Sequence, residues 1–142
     1  MKNIIPGVLL LSSVMLNSCT AKWDESQLPA AVKDSFARSY PGVSAKWQKD
    51  GSQFEAEFSM NGKEFTAVYG AGGSLEETEI EIGLGELPDS ARNYLQAHFK
   101  PADIKEVEKL IMPNGEFSFE AEAGGQELVF DSTGRFVKQE KD

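Results

Sequence analysis

The chain is poor in the side chains that most often carry catalysis or bind metals. Its 142 residues include one cysteine, Cys19, and one histidine, His98. One cysteine cannot close a disulfide within the chain, and zinc sites rich in thiolates or histidines are excluded by count. A nucleophile activated by histidine is unsupported as well, because His98 falls in the last turn of a predicted helix and no nucleophile-elbow motif is present. The sequence predicts a protein that is not an enzyme and holds no cofactor or metal ion.

Basic residues are also scarce. The chain has 14 lysines and arginines against 23 aspartates and glutamates, a net charge of −9 at pH 7. Nucleic acid and anionic lipid headgroups are therefore poor partners, since phosphate binding needs clustered positive charge. A cationic protein, peptide or metal ion stays open, although acidity that keeps an exported domain soluble is the simpler interpretation.

The acids follow no ion-binding pattern. No segment has the D-x-D-x-D-G spacing of a calcium loop. Acids and apolar residues alternate toward the end of the segment 76–82, which predicts a strand with one buried side. That side holds Ile80 and Ile82. Glu79 and Glu81 are then in water, and a solvated face is favoured over a hard-cation site.

No apolar run is long enough to span a bilayer comfortably as a permanent helix. The run from Ile4 to Leu16 follows the basic Lys2 and fits an export signal of residues 1–18. Its end, Leu16-Asn17-Ser18-Cys19, resembles a bacterial lipobox, which implies cleavage before Cys19 and acylation of that cysteine. An uncleaved anchor and an inert cysteine are the alternatives. Cleavage would remove one of the 14 basic residues, Lys2, and no acid, so the mature chain would carry a net charge of −10.

Residues 19–26 show no clear periodicity and are predicted to be a mobile tether. Trp23 within this tether has two open positions, the membrane interface or the surface of the domain. The expected address is the bacterial cell envelope, with the protein exported and lipid-anchored, either periplasmic or associated with the outer membrane.

The remainder of the chain contains a duplication. Phe-Glu-Ala-Glu occurs at residues 54–57 and again at 119–122, and a Leu-Pro pair precedes each copy. A repeated order of motifs indicates two copies of one structural unit. We assign the first repeat to residues 27–82, a linker to 83–86 and the second repeat to 87–142. The linker is short, so the halves are expected to pack together or to extend one sheet.

Each repeat opens with an amphipathic helix. Apolar residues recur every four positions, and a proline suited to the first helical turn, Pro29 or Pro88, begins each series. The two series are Leu28, Val32, Phe36 and Tyr40, and Leu87, Ala91, Leu95 and Phe99. Such a helix needs a sheet on which to bury its apolar stripe.

Strands follow each helix. Phe54, Ala56 and Phe58 alternate with polar residues, the period of a strand with one buried face, and Asn61-Gly62 suits a tight hairpin. The predicted strands are Ala45–Lys49, Gln53–Met60, Glu64–Tyr69 and Ser74–Ile82, then Ile104–Ile111, Glu116–Ala123, Glu127–Asp131 and Arg135–Gln139. The fold class is therefore α+β, with two tandem repeats that each combine one helix with an antiparallel sheet of about four strands.

These motifs, in this order, resemble the PepSY-like domain. The similar features are the Leu-Pro helix openings, Tyr40-Pro41-Gly42, the Phe-Glu-Ala-Glu strands, the Asn-Gly hairpin and the closing segment Phe130 to Phe136. Over residues 27–142 the chain is similar to the tandem-repeat periplasmic proteins of the beta-lactamase-inhibitor-like, PepSY-like family. The resemblance implies helices packed on one sheet face, an opposite face open to a protein partner, and no enzymatic activity.

The predicted strands leave one candidate site. If the apolar strand positions face the helices, the other side of the sheet is shared by mostly acidic residues. These are Glu55, Glu57, Thr66, Val68, Glu79, Glu81, Glu120, Glu122 and Val129. Val68 and Val129 occupy nearly matching places, and an outward valine is unexpected on a solvated sheet. The set indicates a partner-binding face, or simply strand propensity on a half-covered sheet.

The sequence thus predicts a lipid-anchored, non-catalytic binding domain that holds a protein partner through this face and is inhibitor-like by resemblance. A small-ligand or cation-binding module that uses the surplus acids is the alternative. The identity of the partner and the oligomeric state stay open. So does O-glycosylation at Asp89-Ser90-Ala91 or Asp131-Ser132-Thr133, which resemble a short acceptor pattern.

Overall fold

Two helices and eight strands make up residues 23–141, the part of the chain that the computed structural model describes. The helices are α1, Ala30–Ser39, and α2, Asp89–His98. Four strands follow α1: β1 Lys46–Asp50, β2 Gln53–Met60, β3 Lys63–Gly70 and β4 Leu75–Glu81. Four more follow α2: β5 Ile104–Ile111, β6 Phe117–Ala123, β7 Gln126–Phe130 and β8 Phe136–Lys141. Short 3-10 turns, Glu25–Gln27, Leu84–Glu86 and Pro101–Asp103, precede α1, α2 and β5.

All eight strands belong to one antiparallel sheet with the order β1 to β8. Each strand pairs with the next one along the chain, so the path is a meander interrupted by α2. The two halves join at the centre of the sheet, where Thr78 of β4 pairs with Ile111 of β5. Of the two arrangements that the short linker allowed, the protein has the one in which a single sheet continues across both halves.

The apolar stripe of α1 is buried against the first strands. Val32 is fully buried and Phe36 is 5% exposed. Both belong to one hydrophobic cluster with Phe54 and Ala56 of β2. The ring of Phe36 meets that of Phe58 edge-on, with 5.3 Å between centroids. Burial of each large side chain contributes about 1.5–3 kcal/mol, which stabilises a helix too short to persist alone.

The stripe of α2 is buried in the same way in the second half of the chain. Ala91 and Leu95 are fully buried. They form a second hydrophobic cluster with Phe119 and Ala121 of β6 and Phe130 of β7. In both helices the residues at four-position spacing are therefore the ones that meet the sheet, as the sequence predicts.

The prolines lie one residue earlier than expected. Pro29 and Pro88 immediately precede α1 and α2 instead of opening their first turns. Their carbonyl oxygens accept hydrogen bonds from the backbone N–H groups of Lys33, at 3.1 Å, and Arg92, at 3.0 Å. Proline suits this boundary because its ring nitrogen has no N–H left unpaired where the helix begins.

Two glycine turns pack closely against the starts of the helices. Gly73, between β3 and β4, lies against the carbonyl of Ala31, and Gly134, between β7 and β8, lies against Pro88. Both glycines have positive φ, 84° and 82°. A Cβ at position 134 would come within 2.6 Å of the Pro88 Cβ. Gly134 is therefore required both by its backbone conformation and by the close approach.

Residues 23–26, the described part of the predicted tether, contact the domain. Trp23 packs on the first hydrophobic cluster, with its ring centroid 6.3 Å from that of Phe54. Asp24 caps the turn Glu25–Gln27 by accepting a hydrogen bond from the Ser26 N–H at 2.7 Å. Residues 23–26 are thus folded. Of the two positions that the sequence allowed for Trp23, the structure has the one on the surface of the domain. The export signal and Cys19 lie outside the described residues.

Candidate functional site

The sheet face opposite the two hydrophobic clusters is rich in glutamate, and we call it the acidic face. Alternate residues of a strand share a face, and directly paired residues of antiparallel neighbours point the same way, so the register fixes its membership. On β2 to β7 it includes Glu55, Glu57, Thr66, Val68, Glu77, Glu79, Glu81, Glu106, Glu108, Leu110, Ser118, Glu120, Glu122, Glu127 and Val129.

All nine residues of the predicted site lie on the acidic face. In the first half Glu57 pairs with Thr66, which pairs in turn with Glu79. In the second half Glu120 pairs with Val129. The two halves meet through β5, since Glu81 pairs with Glu108, which pairs with Glu120. The strand alternation read from the sequence therefore brings the nine residues together.

Sequence reasoning missed part of this face. The sequence predicts the strand β5 but does not assign its side chains to a face of the sheet. The predicted site therefore lacks Glu106, Glu108 and Leu110. Glu77 and Glu127 were omitted as well. The available signal was the alternation of Glu106 and Glu108 with Val107 and Lys109. This signal is weak because Lys109, at an inward-facing position, breaks the alternation of apolar and polar residues.

The valines of the acidic face are buried, which corrects their expected position as outward, accessible residues. Val68 is 4% exposed and Val129 is 5% exposed. Leu110, on the central strand β5, is 1% exposed. The register explains this burial, because Val68 lies between Glu55 and Glu77 on neighbouring strands. Long side chains beside an apolar residue can shield it with their aliphatic parts while their polar ends face outward.

Glu79 departs furthest from the expectation of a solvated carboxylate. It is only partly exposed, whereas Glu81 is exposed as predicted. Burial, followed by the charges of Glu108, Glu77, Glu55 and Glu120, raises the pKa of Glu79 to about 9. The carboxyl at this position is therefore mostly protonated at neutral pH.

Glu108 and Glu120 have raised pKa values for the same reasons. Burial raises the pKa of Glu120 to about 8, with further contributions from Glu127 and Glu108. Burial, together with the charges of Glu106 and Glu81, raises the pKa of Glu108 to about 7. Oε2 of Glu120 is buried and accepts no hydrogen bond.

Two further carboxyls share this behaviour. Burial raises the pKa of Glu55 to about 7, and Asp50 and Glu57 contribute. Burial likewise raises the pKa of Glu77 to about 7, partly offset by a hydrogen bond with Glu79. Glu77 is 9% exposed and Glu127 is 7% exposed. The acidic face therefore holds carboxyl groups that exchange protons near physiological pH.

Lysines of the edge strands β1 and β8 lie on this face, and Lys138 of β8 is directly opposite Val129. Lys46 of β1 lies 3.9 Å from Glu57, and Lys138 of β8 lies 2.6 Å from Glu140. The described salt bridges do not include the central residues Glu79, Glu108 and Glu120. The charge of Lys138 lowers the pKa of Glu120 against the larger effect of burial.

The described residues contain no group of three or more His, Cys, Asp or Glu side chains arranged to hold a metal ion. His98 ends α2, with Nδ1 2.7 Å from the carbonyl oxygen of Tyr94 and its ring stacked on the Tyr94 ring at 4.1 Å. No helix between residues 23 and 141 is long and apolar enough to cross a membrane. His98 thus serves the end of a helix, and the acidic face is the candidate functional site.

Two helices with one eight-stranded antiparallel sheet define an α+β protein. The family model described as "Putative beta-lactamase-inhibitor-like, PepSY-like" matches residues 14–75 and residues 52–138. The chain belongs to this family, which confirms the resemblance seen in its motifs.

Several solved structures from Bacteroides have a similar fold. A "putative periplasmic" protein of Bacteroides eggerthii is 19% identical, with a TM-score of 0.70 over 80% of this chain and 88% of that one. A DUF2874 family protein of Bacteroides uniformis is 20% identical, with a TM-score of 0.67 over 80% and 88%. A BLIP-like protein of Bacteroides fragilis is 22% identical, with a TM-score of 0.59 over 80% and 86%. At these identities the likeness shows the fold alone. No curated protein matches the chain.

Proposed function

We propose that this chain is a non-catalytic, lipid-anchored binding domain of the bacterial cell envelope that engages a protein partner through the acidic face. In this proposal two tandem helix-plus-sheet units place both helices on one side and leave the acidic face open. The beta-lactamase-inhibitor-like description of the family supports an inhibitor-like mode of binding. The periplasmic description of the Bacteroides eggerthii protein supports the compartment.

The composition and the partial burial of the acidic face are the observations that carry this proposal. The described helices bury their apolar stripes in the clusters on the other side of the sheet. On the acidic face Val68, Leu110 and Val129 are embedded among partly buried carboxyls. A broad face of this composition fits contact with another protein surface better than contact with bulk water alone.

The chemistry of the chain supports a binding role over a catalytic one. His98 is the chain's one histidine, and its Nδ1 atom is already at hydrogen-bond distance from a backbone carbonyl. Two serines of β2 and β6 lie on this side of the sheet, Ser59 and Ser118, and the hydroxyl of Ser59 already donates a hydrogen bond to the carboxylate of Glu64. Binding needs only the shape and charge of the face.

Site-specific crosslinking in the native envelope tests this proposal. A photoreactive amino acid would replace Thr66 or Ser118, which lie on the acidic face and are partly exposed. Asn93, exposed on α2, is the matched control. The expected result is one shared crosslinked protein from positions 66 and 118 and none from position 93. Equal crosslinking from all three positions, or none from the acidic face, would overturn the proposal.

A small-ligand or cation-binding module is the second candidate, favoured by the buried Oε2 of Glu120 that accepts no hydrogen bond. An added cation or donor would supply that missing partner. Calorimetric titration with calcium tests it, with Glu120→Gln as the variant and Glu25→Gln, exposed in the turn before α1, as the control. A heat that disappears only in Glu120→Gln supports this candidate, and a flat response removes it.

A further inference from the structure

The last strand, β8, forms an open edge of the sheet. It pairs with β7 on one side, and no other strand of residues 23–141 pairs with it on the other. All of its residues are partly or fully exposed, and Val137 is 55% exposed. An open edge presents backbone N–H and C=O groups to which a further strand can pair.

Edge strands are commonly protected from such pairing by proline, by a bulge or by charged side chains. The strand β8 contains no proline. Its irregularity lies at its beginning, where Phe130 of β7 pairs with Phe136, and residues 138–141 then pair regularly with β7. Charged side chains are therefore the protection that this edge retains, and their order decides which strand it can accept.

Two charges of opposite sign lie on the same side of β8. Lys138 is opposite Val129 and Glu140 is opposite Glu127, so both side chains lie on the acidic face. The Nζ atom of Lys138 is 2.6 Å from Oε1 of Glu140. Gln139 stands between them and points to the other side of the sheet.

A second copy of β8 matches this order of charges in one register. Two copies related by a two-fold axis perpendicular to the sheet run antiparallel and keep their acidic faces on one side. With Gln139 on the axis, Lys138 of each copy lies opposite Glu140 of the other. With Lys138 or Glu140 on the axis, that residue would oppose its own copy, and like charges directly opposite each other are destabilising. The charges therefore favour the register centred on Gln139.

The other edge strand, β1, has its charges arranged differently. Lys46 lies 3.9 Å from Glu57 of β2, and Gln48 donates a hydrogen bond to the same carboxyl group. These side chains engage the neighbouring strand, whereas the charge pair of β8 lies within the edge strand itself. Pairing of β1 with β8 of another copy would also be head-to-tail, and such contacts continue into open assemblies unless they close a ring. Pairing of β8 with itself closes at two copies.

We propose that two copies of this chain pair through β8 in antiparallel orientation, with Gln139 at the two-fold axis. The two eight-stranded sheets then continue into each other through backbone hydrogen bonds. Lys138 and Glu140 of both copies form a cluster of alternating charge at the interface. The acidic faces lie side by side, and the dimer presents the face twice. This inference does not rest on the proposed function, because it depends on the edge of the sheet alone.

Cysteine crosslinking in the native envelope tests the dimer. Gln139→Cys places a thiol at the axis, where opposed Cα atoms would be about 4.5–5.5 Å apart, within the reach of a disulfide. Val137→Cys is the matched control on the same strand, since the two copies of residue 137 would be about 14 Å apart. Gln48→Cys tests the edge strand β1, and the unsubstituted chain measures any background from Cys19. Under mild oxidation we expect a species of twice the chain mass from Gln139→Cys and not from the other three proteins.

A charge exchange shows whether the pairing depends on the proposed register. In the Gln139→Cys protein, Lys138→Glu would place glutamates opposite each other, and we expect the linked fraction to fall by about tenfold. Adding Glu140→Lys exchanges the two signs and restores opposite charges across the interface. The linked fraction should then return to within about twofold of its original value. Thermal melting of each variant checks that it is folded.

Several results would overturn the inference: no linked species from Gln139→Cys, equal linkage from Val137→Cys or Gln48→Cys, or no recovery after the charge exchange. Linkage of residue 139 to a different protein would also overturn it, because β8 would then accept a strand from elsewhere. If the dimer is absent while positions 66 and 118 crosslink a shared partner, the proposed function stands alone. If the dimer forms and those positions crosslink nothing, the inference stands and the proposed function fails.

Discussion

Glu108 of β5 lies directly opposite Glu120 of β6, and the buried Oε2 of Glu120 accepts no hydrogen bond. Two acids in this relationship cannot both ionise without repulsion in a partly desolvated setting. The protein relieves the repulsion by holding protons, since the pKa values of both carboxyls are raised. The stability of the fold therefore depends on the protonation of these carboxyl groups.

The first prediction is that the protein loses stability as the pH rises from 5 to 8. The folded state raises the pKa to about 7 for Glu55, Glu77 and Glu108, about 8 for Glu120 and about 9 for Glu79. Between the usual glutamate pKa and these values the folded state binds more protons than the unfolded state, so stability falls as pH increases. Because a single carboxyl whose pKa is raised by two pH units contributes about 2.7 kcal/mol, we expect a total loss of at least about 3 kcal/mol from the five. Urea unfolding at pH 5 and pH 8 measures it.

The stability of the folded state does not keep rising as the pH is lowered further. Hydrogen bonds from Ser26 and Thr133 lower the pKa values of Asp24 and Asp131, so their stabilising contributions are lost in acid. Glu79→Gln should reduce the decline of stability above pH 7, while Glu25→Gln, exposed before α1, should leave the profile unchanged. Equal or higher stability at pH 8 than at pH 5 would contradict the prediction.

The second prediction concerns the valines of the terminal hairpin. Val129→Ala should destabilise the fold by about 2 kcal/mol, because its two lost methyl groups are buried and leave a cavity. Val137→Ala is the matched control, since Val137 lies on the adjacent strand and is 55% exposed while Val129 is 5% exposed. Chemical denaturation of both variants provides the comparison. Similar losses would show that Val129 is not shielded by its acidic neighbours.

The third prediction separates steric contact from backbone strain at glycine. Gly115 and Gly134 have positive φ, 87° and 82°, yet a Cβ at 115 would have nothing within 4 Å whereas one at 134 would meet Ser90 and Pro88. Gly115→Ala should cost about 1–2 kcal/mol from the left-handed conformation alone. Gly134→Ala should cost about 3 kcal/mol or more, since the turn must also move away from α2. Equal losses in thermal or urea unfolding would indicate that the turn adjusts without resistance.

Much of the fold follows from local pattern in the sequence. The spacing of Val32 with Phe36 and of Ala91 with Leu95 predicts which sides of the helices are buried. The alternation around Phe54 predicts a strand of the observed bounds, Gln53–Met60. These predictions succeed because the helix period of 3.6 residues and the strand period of 2 residues involve only residues that are close together in the sequence.

The acidic face could be predicted only in part, since its properties arise between strands. Membership of Glu55 and Glu120 follows from alternation, but the opposition of Glu81 and Glu108 depends on how β4 pairs with β5 across the inserted α2. No local signal in the sequence specifies that long-range register. The burial of Val68 and the raised pKa of Glu79 depend in turn on side chains from several strands.

The last prediction concerns the proposed anchor. Cys19→Ala should abolish incorporation of a labelled fatty acid and move the protein from the membrane fraction to the soluble fraction. The thermal melting temperature should not change, because the described fold begins at Trp23, whose ring packs near Phe54. Ser18→Ala is the matched control, as it keeps a small residue before the cysteine and should retain the label. A labelled or membrane-bound Cys19→Ala protein would contradict lipidation at this site and would leave the binding role of the acidic face to be tested on its own.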